Sequence, residues 1–214
     1  MFEKVFGNLI LKIPMPNHKE IKEGFLPFLN DPEAFGASTQ WDCNCDTTIH
    51  HEELNSKLPW DLFYSNIQGA LGPYLQEIGL KEEYKEKIHS YAWANKYHRG
   101  QHQEVHAHSG DGNVISCAYI LDQAGENTVD NGGEYGQFLF YDRAPEPFPA
   151  SQMHLFEEPE RWTARHNPFL QEGEIIIFPS TLNHYVTWNK TDTIRSSISA
   201  NFRILDNQPN ESAN

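Results

Sequence analysis

Apolar side chains between Pro59 and Leu80 recur at three-to-four spacing: Leu62, Phe63, Ile67, Leu71, Leu75 and Ile78. That is the period of an amphipathic helix, and Gly72-Pro73 is expected to break it into two pieces. Upstream, Phe25, Leu26, Phe28 and Leu29, punctuated by Pro27 and Pro32, suggest a short buried turn of helix or a packed loop. Lys81 to Lys87 reads as solvated helix or turn. This half is expected to supply a helical layer packed on a sheet.

The texture changes at Ile88. Ile88 to Tyr97 alternates aromatic and polar positions, and short apolar runs follow at Val114–Leu121, Gly136–Tyr141, Glu174–Phe178, Tyr185–Trp188 and Ile194–Phe202. Turn-forming segments separate them: His98–Gln101, Ser109–Asn113, Asn131–Gly133 and Ala144–Pro149. Several short strands with turn signals between them favour a sandwich, barrel or jelly roll. Strand–helix alternation is not visible, which argues against a doubly wound parallel sheet. The stretch from Arg143 to Gln171, with Phe148, Phe156 and Trp162, is too apolar for a mere linker; a substrate-facing cover and a loop packed on the barrel both fit it.

At 214 residues the chain suits one domain with an elaborated end. The expected partition is a helical or irregular layer over 1–87, a β core over 88–206 and a flexible tail over 207–214. Sixteen Lys and Arg against thirty Asp and Glu give a formal charge of −14, which disfavours nucleic acid and anionic membrane surfaces. Aromatic residues at 13% argue against disorder. No run approaches eighteen apolar residues, so no spanning helix is expected. Cys43, Cys45 and Cys117 are too few for a disulfide framework and fit a reducing cytoplasm. Cys43 and Cys45 lack a second pair to complete a zinc site. Asn189-Lys-Thr and Asn210-Glu-Ser match a glycosylation pattern but read as chance.

Eleven histidines are present, and the densest group is His98, His102, His106 and His108. If Gln103 to His108 is a strand, His106 and His108 point to the same face. Two imidazoles on one face form a chelating pair for a divalent metal. The best third ligand is His184, at the end of the apolar run Ile175–Phe178 and the turn after it.

The ordered set Trp93-Ala-Asn95, His106-Ala-His108, Ser116-Cys-Ala-Tyr119, Gly173 to Val186 and Arg195-Ser-Ser197-Ile-Ser-Ala-Asn201 resembles the iron(II)/2-oxoglutarate-dependent oxygenases, in particular a branch from marine bacteria and phages. The likeness covers about residues 90–203. It implies a mainly β protein with N-terminal helices, the β part a double-stranded β-helix (a cupin-like jelly roll). It also implies Fe(II), 2-oxoglutarate as cosubstrate and O2. His106 would be the proximal ligand and His184 the distal one. Arg195 with Ser197 would grip the far carboxylate of the cosubstrate, a task suited to a planar guanidinium. Asn95 and Tyr119 would lie on strands lining the mouth and contact 2-oxoglutarate; Ser116 and Asn201 are lesser candidates.

One position departs from the family's pattern. His108 stands where an Asp or Glu is usual, so a neutral imidazole would replace an anionic oxygen, leaving the metal one unit more positive. Asp111, in a glycine-flanked loop, is the alternative third ligand. The implied activity is a dioxygenase, as a hydroxylase acting on a small-molecule or peptidyl substrate, with the oligomeric state open. Two rivals remain: a three-histidine iron dioxygenase that needs no 2-oxoglutarate, and a non-catalytic metal or small-molecule binding module.

Overall fold

Strand Arg195–Ile204 pairs along its whole length with Ile88–Tyr97 on one side and with Asn113–Gln123 on the other, and this trio forms the floor of the molecule. The computed structural model describes residues 1–37, 44–108, 110, 112–123, 136–142, 150–155, 157 and 163–205. In chain order the strands are β1 (Phe2–Val5), β2 (Asn8–Pro14), β3 (Gly36–Ala37), β4 (Asp46–Thr47), β5 (Ile88–Tyr97), β6 (Gln103–His106), β7 (Asn113–Gln123), β8 (Phe138–Tyr141), β9 (Arg165–His166), β10 (Glu174–Pro179), β11 (His184–Val186) and β12 (Arg195–Ile204). The helices are α1 (His18–Leu29), α2 (Glu52–Asn55), α3 (Trp60–Glu77) and α4 (Glu82–Lys85).

Two antiparallel sheets result. The larger runs β1-β2-β10-β7-β12-β5-β4-β3 and the smaller β6-β11-β8-β9. They close on each other as a double-stranded β-helix, with Phe138 and Phe140 of the smaller sheet packed against Phe178 of the larger.

The larger sheet is covered on both faces, and the period of two sorts its side chains. On β7, Ile115, Cys117, Tyr119 and Leu121 join the helix-side core with Phe25, Phe63, Ile67 and Tyr74, while Ala118 and Ile120 join the barrel-side core. On β12, Ile198, Ala200 and Phe202 face the helices. Arg195, Ser197, Ser199 and Asn201, of opposite parity, make a polar stripe inside the barrel.

Three departures from the sequence expectation have clear causes. The first is at the N-terminus, where residues 2–14 are a β-hairpin rather than part of a helical or irregular layer. Its strand β2 pairs with β10 and extends the larger sheet. The second is α3, which runs unbroken through Pro73. A proline inside a helix costs about 3 kcal/mol, and burial of Phe63, Ile67, Ala70, Leu71, Tyr74 and Leu75 outweighs it. The third is α1, a full helix of 12 residues with Pro27 inside it. It approaches α3 so closely that a Cβ at Gly24 would collide with Leu62. Its last carbonyl, at Leu29, accepts from the buried Nζ of Lys96 at 3.0 Å, a cation placed at the negative end of the helix dipole. No helix among the described residues is long and apolar enough to cross a membrane.

Candidate active site

The barrel interior brings three histidines together. His106 is the last residue of β6 and His184 the first of β11, and the two are direct partners in the ladder between these strands. Strand β6 stops at His106, short of the expected His108. The backbone N–H of His108 instead donates to Ser180 O at 2.8 Å, which carries the chain back toward the end of β10. Ring centroids lie 5.0 Å apart for His106–His108, 4.3 Å for His106–His184 and 4.9 Å for His108–His184. One ring nitrogen from each can be chosen so that all three lie within 4.8 Å of one another.

Their hydrogen bonds determine which nitrogen faces inward. His106 Nδ1 meets Glu104 O at 2.8 Å and His184 Nδ1 meets Leu182 O at 2.9 Å. A carbonyl can only accept, so Nδ1 carries the proton in both rings and Nε2 keeps its lone pair. His108 Nδ1 meets Asn201 Oδ1 at 2.7 Å and Ser116 Oγ at 3.2 Å. That Asn201 oxygen also accepts from Ser116 Oγ at 2.8 Å, and Ser116 Oγ lies 2.9 Å from Ser180 Oγ. The resulting chain fixes His108 in the same tautomer and leaves its Nε2 buried without a partner among the described residues.

Burial also keeps the rings neutral. It lowers the pKa of His106, pushes His108 down to about 4 with help from His106, and holds His184, 4% exposed, well below the ordinary value. Three neutral imidazoles with converging Nε2 lone pairs match the needs of a divalent transition metal, and their Nδ1 partners are the outer-shell acceptors that such ligands use.

Arg195 lines the same cavity at the opposite end of the polar stripe. It is 5% exposed, its guanidinium lies 5.0 Å over the Tyr97 ring, and one terminal nitrogen donates to Ser197 Oγ at 3.4 Å. Burial lowers its pKa, yet a guanidinium stays charged in any protein. Among the described residues no carboxylate pairs with it, and its Nε has no acceptor.

Other sequence candidates fall elsewhere. Tyr119 is corrected: it has the outward parity of β7, its ring stacks 6.3 Å from Phe63, and its hydroxyl bonds His18 Nδ1 at 2.6 Å. It therefore lies on the helix side of the sheet, away from the histidines. Asn95 shares the inward parity of Trp93 and Tyr97, but its amide is engaged by Thr47 Oγ1 at 2.8 Å and Ser199 Oγ at 3.4 Å. His98 pairs with Asp46 and His102 stacks on Trp188, both apart from the cluster. Asn189 is buried with its amide donating to Tyr97 O and Thr193 O. Asp111, Cys43, Phe148, Phe156 and Trp162 lie outside the described residues, as does much of the 143–171 stretch. Sequence reading assigned no role in the site to Trp93, Tyr97, Gln103 or Ser199, which line the cavity. The alternation of β5 and β12 was the available signal.

Comparison with known proteins bears on the family and the fold. Residues 91–201 match the family described as "Putative 2OG-Fe(II) oxygenase". No curated protein sequence matches the chain. Among solved structures, a prolyl-4-hydroxylase from Pseudomonas putida is 12% identical, with 91% of this chain and 92% of that one covered and a TM-score of 0.60. The epimerase SnoN, in complex with Fe3+, alpha ketoglutarate and nogalamycin RO, is 15% identical over 96% of this chain and 87% of its own, with a TM-score of 0.59. HygX from Streptomyces hygroscopicus, with nickel and 2-oxoglutarate bound, is 10% identical over 91% and 82%, with a TM-score of 0.54. At these identities the likeness shows a shared fold.

Proposed function

The chain belongs to the 2OG-Fe(II) oxygenase family, which uses Fe(II), 2-oxoglutarate and O2, and from that premise we propose that it hydroxylates a small-molecule or peptidyl substrate at the three-histidine centre. His106, His108 and His184 would hold iron(II) through Nε2, leaving further coordination positions for cosubstrate and oxygen. Arg195 and Ser197 would bind the far carboxylate of 2-oxoglutarate. With its cofactor and cosubstrate bound, the family's chemistry is oxidative decarboxylation of 2-oxoglutarate to succinate and CO2, coupled to oxidation of the substrate.

The observation that carries this reading is Arg195. Among the described residues no carboxylate stands beside this buried guanidinium, and an unpaired buried charge is costly unless a ligand supplies the anion. A metal-only binding module has no need of such a residue, nor has a dioxygenase that works without a keto acid. Charge points the same way. Three imidazoles leave the two positive charges of the iron uncompensated, and Arg195 adds a third, so a dianion suits the cavity. The walls do the orienting: the carboxylate is fixed at Arg195, the keto-acid end is directed to the histidines, and the barrel core excludes water.

The test is titration of the purified iron(II) protein with 2-oxoglutarate, followed by measurement of succinate. Binding with slow succinate release, even without substrate, is the expected result. Absence of both would overturn the reading. Oxygen uptake independent of 2-oxoglutarate would move the protein to the three-histidine dioxygenases, and metal binding alone to the binding modules.

A further inference from the structure

The cavity holds a second set of hydrogen-bonding capacity, distinct from Arg195. Across β5 and β12 the register pairs Tyr97 with Arg195, Asn95 with Ser197 and Trp93 with Ser199. At about 3.3 Å per residue, Trp93 lies roughly 13 Å along β5 from the Tyr97 that underlies Arg195. It is thus at the histidine end, where its ring packs 5.5 Å from that of His108.

Trp93 is 1% exposed, lines the cavity, and its indole N–H has no acceptor among the described residues. Nearby polar groups are already committed. Asn201 Oδ1 serves His108 and Ser116, and Ser116 in turn meets Ser180. Tyr91 stacks on Trp93 at 5.9 Å and 27°, with its own hydroxyl donating to Ile49 O at 2.8 Å, so the indole is braced from outside. A phenylalanine would fill the apolar part of this position. What tryptophan adds is a buried donor, and buried donors without acceptors are rare in folded proteins.

Resting on the function proposed above, we infer that the Trp93 N–H donates to the carboxylate at the keto end of 2-oxoglutarate. The cavity would then recognise a two-ended anion at both ends, with Arg195 and Ser197 at one and Trp93 beside the histidines at the other. Trp93 is a binding residue for the cosubstrate in this scheme, and the donated bond is charge-assisted.

Two measurements on zinc(II)-loaded protein test this, using 2-oxoglutarate and 4-oxopentanoate. The second compound keeps the ketone and the far carboxylate but has a methyl group in place of the keto-side carboxylate. In calorimetric titration, Trp93→Phe is expected to weaken 2-oxoglutarate by about tenfold or more and to leave 4-oxopentanoate within about twofold. In wild-type protein, one of the five indole N–H signals, assigned by its loss in Trp93→Phe or Trp93→Tyr, should move downfield with 2-oxoglutarate and stay with 4-oxopentanoate. Unchanged 2-oxoglutarate affinity, or equal weakening of both compounds, overturns the inference; so does an indole signal that responds alike to both. Failure of wild-type protein to bind 2-oxoglutarate at all would remove the functional reading together with this one, and is distinguished by needing no variant.

Discussion

His106 and His184 stand directly opposite each other in the ladder between β6 and β11, with ring centroids 4.3 Å apart. Strand pairing, rather than a loop, sets the spacing of these two histidines, and the third is brought in by the bond from His108 N–H to Ser180 O. His106→Ala or His184→Ala should each abolish stoichiometric iron(II) binding in a chelator competition, while the far-ultraviolet circular dichroism remains that of a β protein. Retained stoichiometric binding in either variant would remove that residue from the metal site.

Asn201 acts through His108, holding its Nδ1 proton. Asn201→Leu should therefore lower metal affinity by about 10–100-fold without removing a ligand. Ser116→Ala should have a smaller effect, because Asn201 remains to accept the proton. The competition assay used for the ligand variants measures both.

Arg195 carries a buried charge that no carboxylate among the described residues compensates. Arg195→Met should eliminate measurable 2-oxoglutarate binding and leave iron binding intact. It should also stabilise the apoprotein, by about 1 kcal/mol or roughly 2–4 °C in melting temperature. Loss of stability with retained 2-oxoglutarate affinity would assign Arg195 to the scaffold.

Tyr119 serves the fold. Tyr119→Phe removes the bond to His18 and should cost about 1 kcal/mol in denaturant unfolding. The 2-oxoglutarate affinity should not change, since the hydroxyl lies on the far side of the sheet.

Glu172 ties α1 to the segment before β10. Burial would raise its pKa, but Lys22 Nζ at 2.6 Å, the Gln123 N–H at 3.0 Å and His18 outweigh that and hold it at about 2, against an ordinary 4.5. A carboxylate with a depressed folded pKa stabilises above its unfolded value and loses that contribution as pH falls toward the folded one. Glu172→Gln should therefore be less stable than wild type at pH 7, and the gap should close between about pH 4.5 and pH 2. Thermal melts of both proteins across that range measure it; a gap that persists into acid would contradict the assignment.

Much of the β core could be read directly from the chain. Ile88–Tyr97 was delimited without error, and the apolar runs after it became strands within about two residues, because each is bounded by turn-forming residues. His106, His108 and His184 were legible because a His-x-His spacing and a histidine after an apolar run are local signals. The face of a strand buried on both sides was not. Residues 115–121 of β7 are almost continuously buried, so no polar alternation revealed which residues point inward, and Tyr119 was assigned to the wrong face. Strand β2 was hidden by Lys12, whose ammonium reaches out to Pro168 O at 2.8 Å while Ile10 and Leu11 are buried. The prolines of α1 and α3 misled because local propensity carries no information about tertiary burial.

The alternation along β12 has a consequence for how this protein can change. Odd-numbered positions from 195 to 201 face the barrel interior, and even-numbered positions from 198 to 202 meet the helices. Chemistry and scaffold are thus interleaved one residue at a time on a single strand, yet mechanically separated by the thickness of a sheet. Variation on one register can retune what the barrel accepts while the other keeps the chain folded, so new specificities are accessible here without rebuilding the strand.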